Sequence, residues 1–195
     1  MSRNIIHTTG QHVFKYLPPE FTEKEVPVLA MNTEDKKKEG KVQFLGEGYY
    51  FWDDNIGRAH KWGKDHYQGH YLIMELPLKL EGEKFLDLVG SREDLKGFCN
   101  VFNKMKDNNP DLKIGAFFNG MQEMAKINPQ VWPFTVVRAL NVKRNANKVL
   151  FNHLAGSEML LNPEIIICFY EKNELNLQNI RYINKNNQEW TSTTS

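Results

Sequence analysis

Hydrophobic positions along the chain follow two periods, and the change between them separates the ends of the chain from its middle. Near both ends they form short runs bounded by glycine, proline or acidic residues, which is the pattern of β-strands. The predicted strands are residues 3–7, 41–51, 71–76, 134–142, 164–170 and 175–183. The run at 164–170, EIIICFY, contains four consecutive apolar residues and is therefore expected at the centre of a sheet.

The middle of the chain carries apolar residues at helical spacing. One of the polar residues 53–55 can cap a first helix that extends to about His66. Ser91 and Asp94 resemble a capping box at the start of a second helix. The apolar stripe of that helix consists of Leu95, Phe98, Cys99, Phe102 and Met105. A third helix is predicted over residues 115–127, and helices between two strand-rich regions indicate an α+β fold with a helical insertion.

Composition limits the classes of partner. The chain has 25 Lys and Arg and 24 Asp and Glu, and a net charge of +1 does not favour nucleic acid or an anionic membrane. The sequence shows no signal-peptide pattern and no run of about 20 apolar residues. We therefore expect a cytoplasmic protein without a membrane span, whether or not a secretion system delivers it elsewhere. We also expect one domain over residues 1–185 and a polar tail over 186–195.

Several familiar kinds of site receive little support. His60, His66 and His70 lie close together in sequence, but a glycine weakens a shared helix and no cysteine lies nearby. Polar structural histidines are therefore favoured over a metal site. The G-x-G at residues 46–48 lacks the third glycine of a dinucleotide fingerprint, and indicates a bulge or a close approach of the backbone. Cys168 lies inside an apolar run that disfavours a thiolate, which argues against a cysteine nucleophile.

Three separated signals carry more information together than each does alone. They are His7-Thr8-Thr9 at the first predicted strand, Gly48-Tyr49-Tyr50-Phe51 followed by Ala59 and Trp62, and Glu164 at the start of the buried strand. A carboxylate next to an apolar run is costly unless it faces a cleft. The combination resembles the ADP-ribosyltransferase superfamily, and within it the His-Tyr-Glu branch of poly-ADP-ribose polymerases and diphtheria-type toxins.

The resemblance implies a fold and a reaction. The fold would be a split β-sheet core around an NAD cleft. The reaction would transfer ADP-ribose from NAD, as co-substrate, to a macromolecular acceptor and release nicotinamide. In it Glu164 would hydrogen-bond the nicotinamide-ribose 2′-hydroxyl and stabilise an oxocarbenium-like transition state. Tyr50 would stack on the nicotinamide ring, and His7 would bind the adenosine ribose.

Further NAD contacts are implied at Thr8, Thr9, Gly48, Arg58, Ala59 and Trp62. Backbone groups of Thr8 would meet the carboxamide, and Trp62 could form a second aromatic wall. An ungapped comparison places Arg58 and Lys61 where many polymerase-like members have a serine and a second tyrosine. The diphosphate could be held by Arg3, Arg58 or Lys61, and the sequence does not choose among them.

Other functions stay open alongside the transferase. The same site could hydrolyse NAD with water as the acceptor, or the chain could be an inactive α+β module that binds NAD, ADP-ribose or a protein partner. It could also be an unrelated α+β protein whose aromatic residues pack a core. The near-neutral charge favours a protein over nucleic acid as the acceptor, in a housekeeping enzyme or in a bacterial toxin or effector.

Overall fold

Within the described residues, the long helices lie between residues 56 and 127, and strands precede, separate and follow them. The computed structural model describes residues 5–16, 25–34, 41–141, 148–152, 157–160, 163–186 and 188–191. In chain order the elements are β1 (Ile6–Lys15), β2 (Tyr49–Asp53), α1 (Ile56–Tyr67), β3 (Tyr71–Leu80), β4 (Phe85–Asp87), α2 (Arg92–Asn108), α3 (Ile114–Ile127), β5 (Val136–Asn141), β6 (Lys148–Asn152), β7 (Ser157–Leu160), β8 (Glu164–Phe169), β9 (Arg181–Asn184) and β10 (Glu189–Thr191).

One mixed sheet of eight strands organises the molecule. Its order is β10-β9-β3-β1-β2-β8-β5-β4, and β6 and β7 form a separate hairpin. Neighbouring strands in the large sheet are antiparallel except β4 and β5, which are parallel. The connection between β4 and β5 contains α2 and α3, so the predicted α+β class and the helical insertion are confirmed. The interior position predicted for residues 164–170 is also confirmed, because β8 lies between β2 and β5.

Three strand predictions require correction. The first strand does not end at His7: β1 begins at Ile6 and continues to Lys15, because its polar residues are buried through hydrogen bonds. The strand predicted to close at Pro77 continues to Leu80, and β9 pairs only with residues 72–75 of β3. Residues 44–47 form a turn rather than the start of the strand predicted at 41–51, and Gly48 forms an isolated bridge with Ala30.

Two strand ends also differ from the sequence pattern. The strand predicted at 134–142 begins later, at Val136, since residues 128–135 connect α3 to the sheet. Residues 189–191, placed by sequence in a polar tail, form β10 at the edge of the sheet. Arg3, one of the candidates for the diphosphate, lies outside the described residues.

One face of the sheet, the strand face, carries a large apolar cluster. Among the described residues, the members of this cluster lie on strands and connecting segments and not on helices. Its members include Phe14, Phe51, Met74, Phe85, Val136 and Ile167. Burial of aromatic and branched side chains from seven strands is the main stabilising contribution to this side of the fold.

The opposite face, the helix face, carries two separate clusters. Phe117 and Phe118 of α3 pack with Phe98 and Phe102 of α2 over β5 and β8. Ala59 of α1 packs on Tyr71, Ile73 and Ile183 over β3 and β9. The small residues of α1 allow a close approach, since a methyl group at Gly63 would overlap the Tyr71 ring. The helices therefore leave a strip of this face between them.

The predicted helix boundaries agree with the structure. Asn55 caps α1 by accepting a hydrogen bond from the Arg58 amide, and Ser91 caps α2 by accepting one from the Asp94 amide. The apolar stripe of α2 is only partly correct, because Leu95 and Cys99 are exposed. Helix α3 packs on α2 through Phe98 and Phe102, and the stripe is half-buried where that contact is made.

Candidate functional site

A seam separates the two clusters of the helix face, and Trp52 and Glu164 lie in it. Trp52, on β2, is half-buried and packs against both the α2–α3 cluster and the α1 cluster. Glu164 lies on the adjacent strand β8 with its side chain on the same face. The seam therefore combines an aromatic ring with a carboxylate on neighbouring strands.

Glu164 is a buried carboxylate held from two sides. It is 7% exposed. The Arg58 Nη1 atom lies 2.8 Å from one carboxylate oxygen, and the Asn141 amide donates a hydrogen bond of 3.2 Å to the other. Arg58 comes from the first turn of α1, and Asn141 stands directly opposite Glu164 on β5. Charge pairing and hydrogen bonding explain how a carboxylate can begin an apolar strand.

Aromatic rings continue from the seam along α1. The ring centroids of Trp52 and Trp62 are 6.2 Å apart, and Trp62 stacks on His66 at 3.6 Å with an interplanar angle of 16°. Arg58, Trp62 and His66 are spaced by four residues and form one stripe of the helix. Trp62 is 38% exposed, so this stripe offers a partly open aromatic surface beside the ion pair.

The three residues predicted to be catalytic share one face of three adjacent strands. His7 lies on β1, Tyr50 on β2 and Glu164 on β8, and strand alternation directs all three to the helix face. They occupy different levels along the strands. Tyr50 pairs with Cys168, four residues from Glu164, which corresponds to about 13 Å along β8. Trp52, which pairs with Ile166, is the nearer aromatic residue by register.

Tyr50 holds the turn that precedes its own strand. Its hydroxyl donates a hydrogen bond of 2.6 Å to the Gly46 carbonyl and accepts one of 2.8 Å from the Leu45 amide. The ring packs against the α2–α3 cluster, and burial raises the pKa of the phenol. Gly48 lies too close to Cys168 for any side chain, which accounts for the glycine two residues before Tyr50.

His7, Thr8 and Thr9 have different environments. His7 is exposed and pairs with Lys79 of β3. Thr8 faces the opposite side of the sheet, where its hydroxyl donates a hydrogen bond to Asp53. The Thr9 carbonyl accepts a hydrogen bond of 2.7 Å from the amide of residue 54 and so fixes the chain before α1. Thr8 and Thr9 thus connect β1 to the end of β2.

The other predicted NAD contacts lie on α1 or outside the described residues. Ala59 is fully buried between α1 and the sheet. Arg58 is in the seam, whereas Lys61 is on the exposed side of α1 and pairs with Asp65 at 2.8 Å. Of the two described candidates for the diphosphate, Arg58 is therefore the one adjoining Glu164.

Sequence reasoning did not find Trp52, Asn141 or the buried histidine of β1. That histidine is His12, whose Nδ1–H donates to the Tyr50 carbonyl at 2.8 Å and whose Nε2 accepts from the Val28 amide at 2.9 Å. Burial lowers the pKa of His12 to about 4. The two-residue period of β1 could have separated His12 from His7, since the two fall on opposite faces of a continuous strand.

A buried ion-pair network, also absent from the sequence prediction, connects four strands on the strand face. Arg138 of β5 donates to Asp53 of β2 at 2.6 Å and to Asp87 of β4 at 3.2 Å. Thr8 of β1 donates to the same Asp53 carboxylate. The two aspartates and the arginine are largely buried, so the network stabilises the sheet end that also carries Glu164.

Three further observations on the described residues concern metal binding, membrane spans and thiol chemistry. Within that part of the chain, no group of three His, Cys, Asp or Glu side chains could hold a metal ion together. None of the helices described is both long and apolar enough to cross a membrane. Cys168 is buried, and burial raises the pKa of its thiol.

Comparisons with known proteins supply no relative for this chain. Neither the family models, nor the curated proteins, nor the solved structures include a match.

Proposed function

We propose that the protein is an NAD-dependent ADP-ribosyltransferase whose reaction centre is the seam. The observation that carries the proposal is the position of Glu164. It is a buried carboxylate on the strand next to β2, beside an aromatic surface formed by Trp52 and Trp62. The three sequence motifs lie on β1, β2 and β8, which are neighbours in the sheet, and this arrangement supports the same proposal.

The proposed reaction requires one fixed negative charge. The bond between the ribose C1′ and the nicotinamide nitrogen breaks, and nicotinamide leaves with the electron pair as a neutral molecule. A nucleophile of the acceptor then bonds to C1′ and gives up its proton. Glu164 would accept a hydrogen bond from the ribose 2′-hydroxyl and stabilise the cationic transition state, where its charge matters most.

The surrounding residues would have different tasks in this proposal. The exposed part of Trp62, with Trp52 behind it, offers the flat surface that a nicotinamide ring needs. His7, exposed on β1, remains the candidate for the adenosine ribose. Tyr50 would act indirectly and without touching the nicotinamide ring. Its hydroxyl holds the turn at residues 45–46, and the strand that follows this turn carries Trp52.

Nicotinamide release tests the proposal. Glu164→Gln keeps the shape of the side chain and one acceptor oxygen, but it replaces the other oxygen with an NH2 donor and removes the charge. We expect it to lower the rate of nicotinamide release from NAD by about 10²–10³-fold. Glu81→Gln, on an exposed carboxylate paired with Lys79, is the matched control and should retain the wild-type rate. Circular dichroism should show the same fold for all three proteins. Equal rates for the wild type and Glu164→Gln would contradict the proposal.

A second candidate function is an NAD- or ADP-ribose-binding module without chemistry. The Arg58–Glu164 ion pair favours it, because a carboxylate already neutralised by a guanidinium stabilises a cation poorly. The same assay separates the two functions. A wild-type protein that binds NAD in calorimetry and releases no nicotinamide is the module, whereas release abolished by Glu164→Gln identifies the transferase or its hydrolytic variant.

A further inference from the structure

The ion pair between Arg58 and Glu164 presents an electrostatic conflict for the proposed reaction. Glu164 would have to stabilise a positive charge on the ribose, but the Arg58 guanidinium lies 2.8 Å from its carboxylate. A second cation at that distance repels the developing one and compensates the charge that should attract it. The carboxylate can act on a cation only after the guanidinium has found another partner.

Arg58 is the member of the pair that can move. Glu164 is the first residue of a strand paired on both sides within the sheet, and Asn141 holds its second oxygen. Arg58 projects from the first turn of α1, and its side chain is 17% exposed against 8% for Glu164. Rotation of the long arginine side chain would break the ion pair with Glu164 without displacing the backbone, and Asn141 would remain on the carboxylate.

The surroundings of Arg58 suit a phosphate-bearing ligand. A guanidinium binds phosphate oxygens in a two-pronged geometry that matches its two-pronged binding of a carboxylate. The outer side of the same helix borders an open pocket of about 450 Å³. It is lined by Gly57, His60, Lys61, Lys64, Asp65 and Lys185. Three of its residues are lysines and one is an aspartate that pairs with Lys61, so a pocket of net positive charge lies on the helix that carries Arg58.

We propose that Arg58 exchanges Glu164 for the diphosphate of the bound dinucleotide, so that the ligand itself releases the carboxylate that acts on it. This inference rests on the proposed function of the seam. Before binding, the ion pair keeps the buried carboxylate satisfied, which a folded protein requires. After binding, the diphosphate neutralises Arg58 and leaves Glu164 facing the ribose, with the Asn141 amide still bonded to its second oxygen. A ligand without the diphosphate leaves Glu164 paired.

The exchange makes Glu164 and the diphosphate competitors for one guanidinium. Removal of the carboxylate charge should therefore strengthen the binding of a diphosphate. The gain should depend on Arg58, because the competition acts through that residue alone. Coupling of more than about 1.4 kcal/mol, the value of a tenfold change in affinity, is typical of close charge pairs.

Inorganic pyrophosphate is the probe, titrated by calorimetry at fixed ionic strength and followed in parallel by tryptophan fluorescence. We expect Glu164→Gln to bind pyrophosphate at least about tenfold more tightly than the wild type. Arg58→Gln should bind it at least about tenfold more weakly, and Arg58→Lys, which keeps the charge without the two-pronged geometry, should lie between. In the double variant Arg58→Gln/Glu164→Gln, the gain from the loss of Glu164 should disappear.

Two results would overturn the exchange: equal pyrophosphate affinity in the wild type and Glu164→Gln, or a gain that persists in the double variant. Absence of pyrophosphate binding in both proteins counts against it equally. Circular dichroism establishes that each variant is folded. Because the titration involves no NAD turnover, its outcome is separable from that of the nicotinamide assay. If pyrophosphate competes with Glu164 for Arg58 but NAD gives no nicotinamide, the transferase is refuted. The exchange then remains as the way in which a binding module holds its ligand.

Discussion

At the scale of single residues, the two histidines of β1 show that burial gives identical side chains different hydrogen bonds and different roles. His7 is exposed, whereas His12 lies on the strand face with Phe51, 5.4 Å between ring centroids. His12 bonds the Tyr50 carbonyl and the Val28 amide, and these two bonds require the neutral ring with its proton on Nδ1. His12 therefore links the segment at Val28 to β1 and β2.

Protonation of His12 should destabilise the protein in mildly acidic solution. Burial lowers its pKa to about 4 from an ordinary value of 6.5, against the opposing effect of the bond to Tyr50. Between these values the unfolded chain binds more protons than the folded protein, so stability falls as the pH decreases from 6.5 to 4. The contribution of His12 to this loss is expected to be about 3 kcal/mol.

Urea unfolding at pH 7 and pH 4.5 measures the effect. His12→Gln retains a donor and an acceptor but cannot become charged, so its stability should depend less steeply on pH than that of the wild type. His7→Gln, at an exposed position of the same strand, is the control and should keep the wild-type slope. Identical pH dependence in the wild type and His12→Gln would show that the imidazole does not titrate as described.

At the scale of elements, helices and caps were predictable because the information is local. Asn55 and Ser91 accept hydrogen bonds from amides three residues ahead, a relation contained in a few consecutive residues. The correct strand pairing of β1 was not predictable in the same way. Gln11 is buried because it bonds Glu75 and the Asn55 amide, and both partners lie at least 44 residues away.

The two glycines of α3 should respond oppositely to the same substitution. A methyl group at Gly115 would overlap the backbone carbonyl of Gln43, whereas one at Gly120 would meet nothing within 4 Å. We expect Gly115→Ala to lower the free energy of unfolding by about 1–3 kcal/mol through overpacking. Gly120→Ala should raise it by about 0.5–1 kcal/mol, because alanine is the better helix former.

Chemical denaturation of both variants provides the comparison, and each serves as the control for the other. If helix propensity alone determined the result, both substitutions would raise the free energy of unfolding. Only contact between α3 and the segment at Gln43 explains a loss confined to Gly115→Ala.

At the scale of the whole molecule, the Arg138 network connects strands that are distant in sequence. Its aspartates, Asp53 and Asp87, come from β2 and β4, and both are largely buried. Truncation of the arginine would leave two carboxylates without their main compensating charge, a more costly change than the loss of a surface pair.

Arg138→Met should therefore lower the free energy of unfolding by about 3–5 kcal/mol. Lys126→Met, which removes the exposed partner of Glu123, is the matched control and should leave stability nearly unchanged. Unfolding in guanidinium chloride would measure the difference, although high salt screens the control pair most strongly. Similar midpoints for Arg138→Met and the wild type would mean that the network contributes little.

The sequence by itself determined the α+β class, the helical insertion, the cap of α2 and the interior position of β8, and it limited the cap of α1 to residues 53–55. These follow from short-range capping and from the periodicity of apolar residues, which neighbouring positions are enough to reveal. The same reasoning singled out Glu164 and Arg58 separately, as residues whose types suit chemistry.

Only the tertiary structure decided that Arg58 and Glu164 form an ion pair, that Trp52 lies beside them and that His12 is the buried histidine of β1. Each of these depends on the register between strands and on the placement of a helix over the sheet. Such relations are set by packing across the whole chain, because a shift of one residue in a strand moves every side chain to the other face.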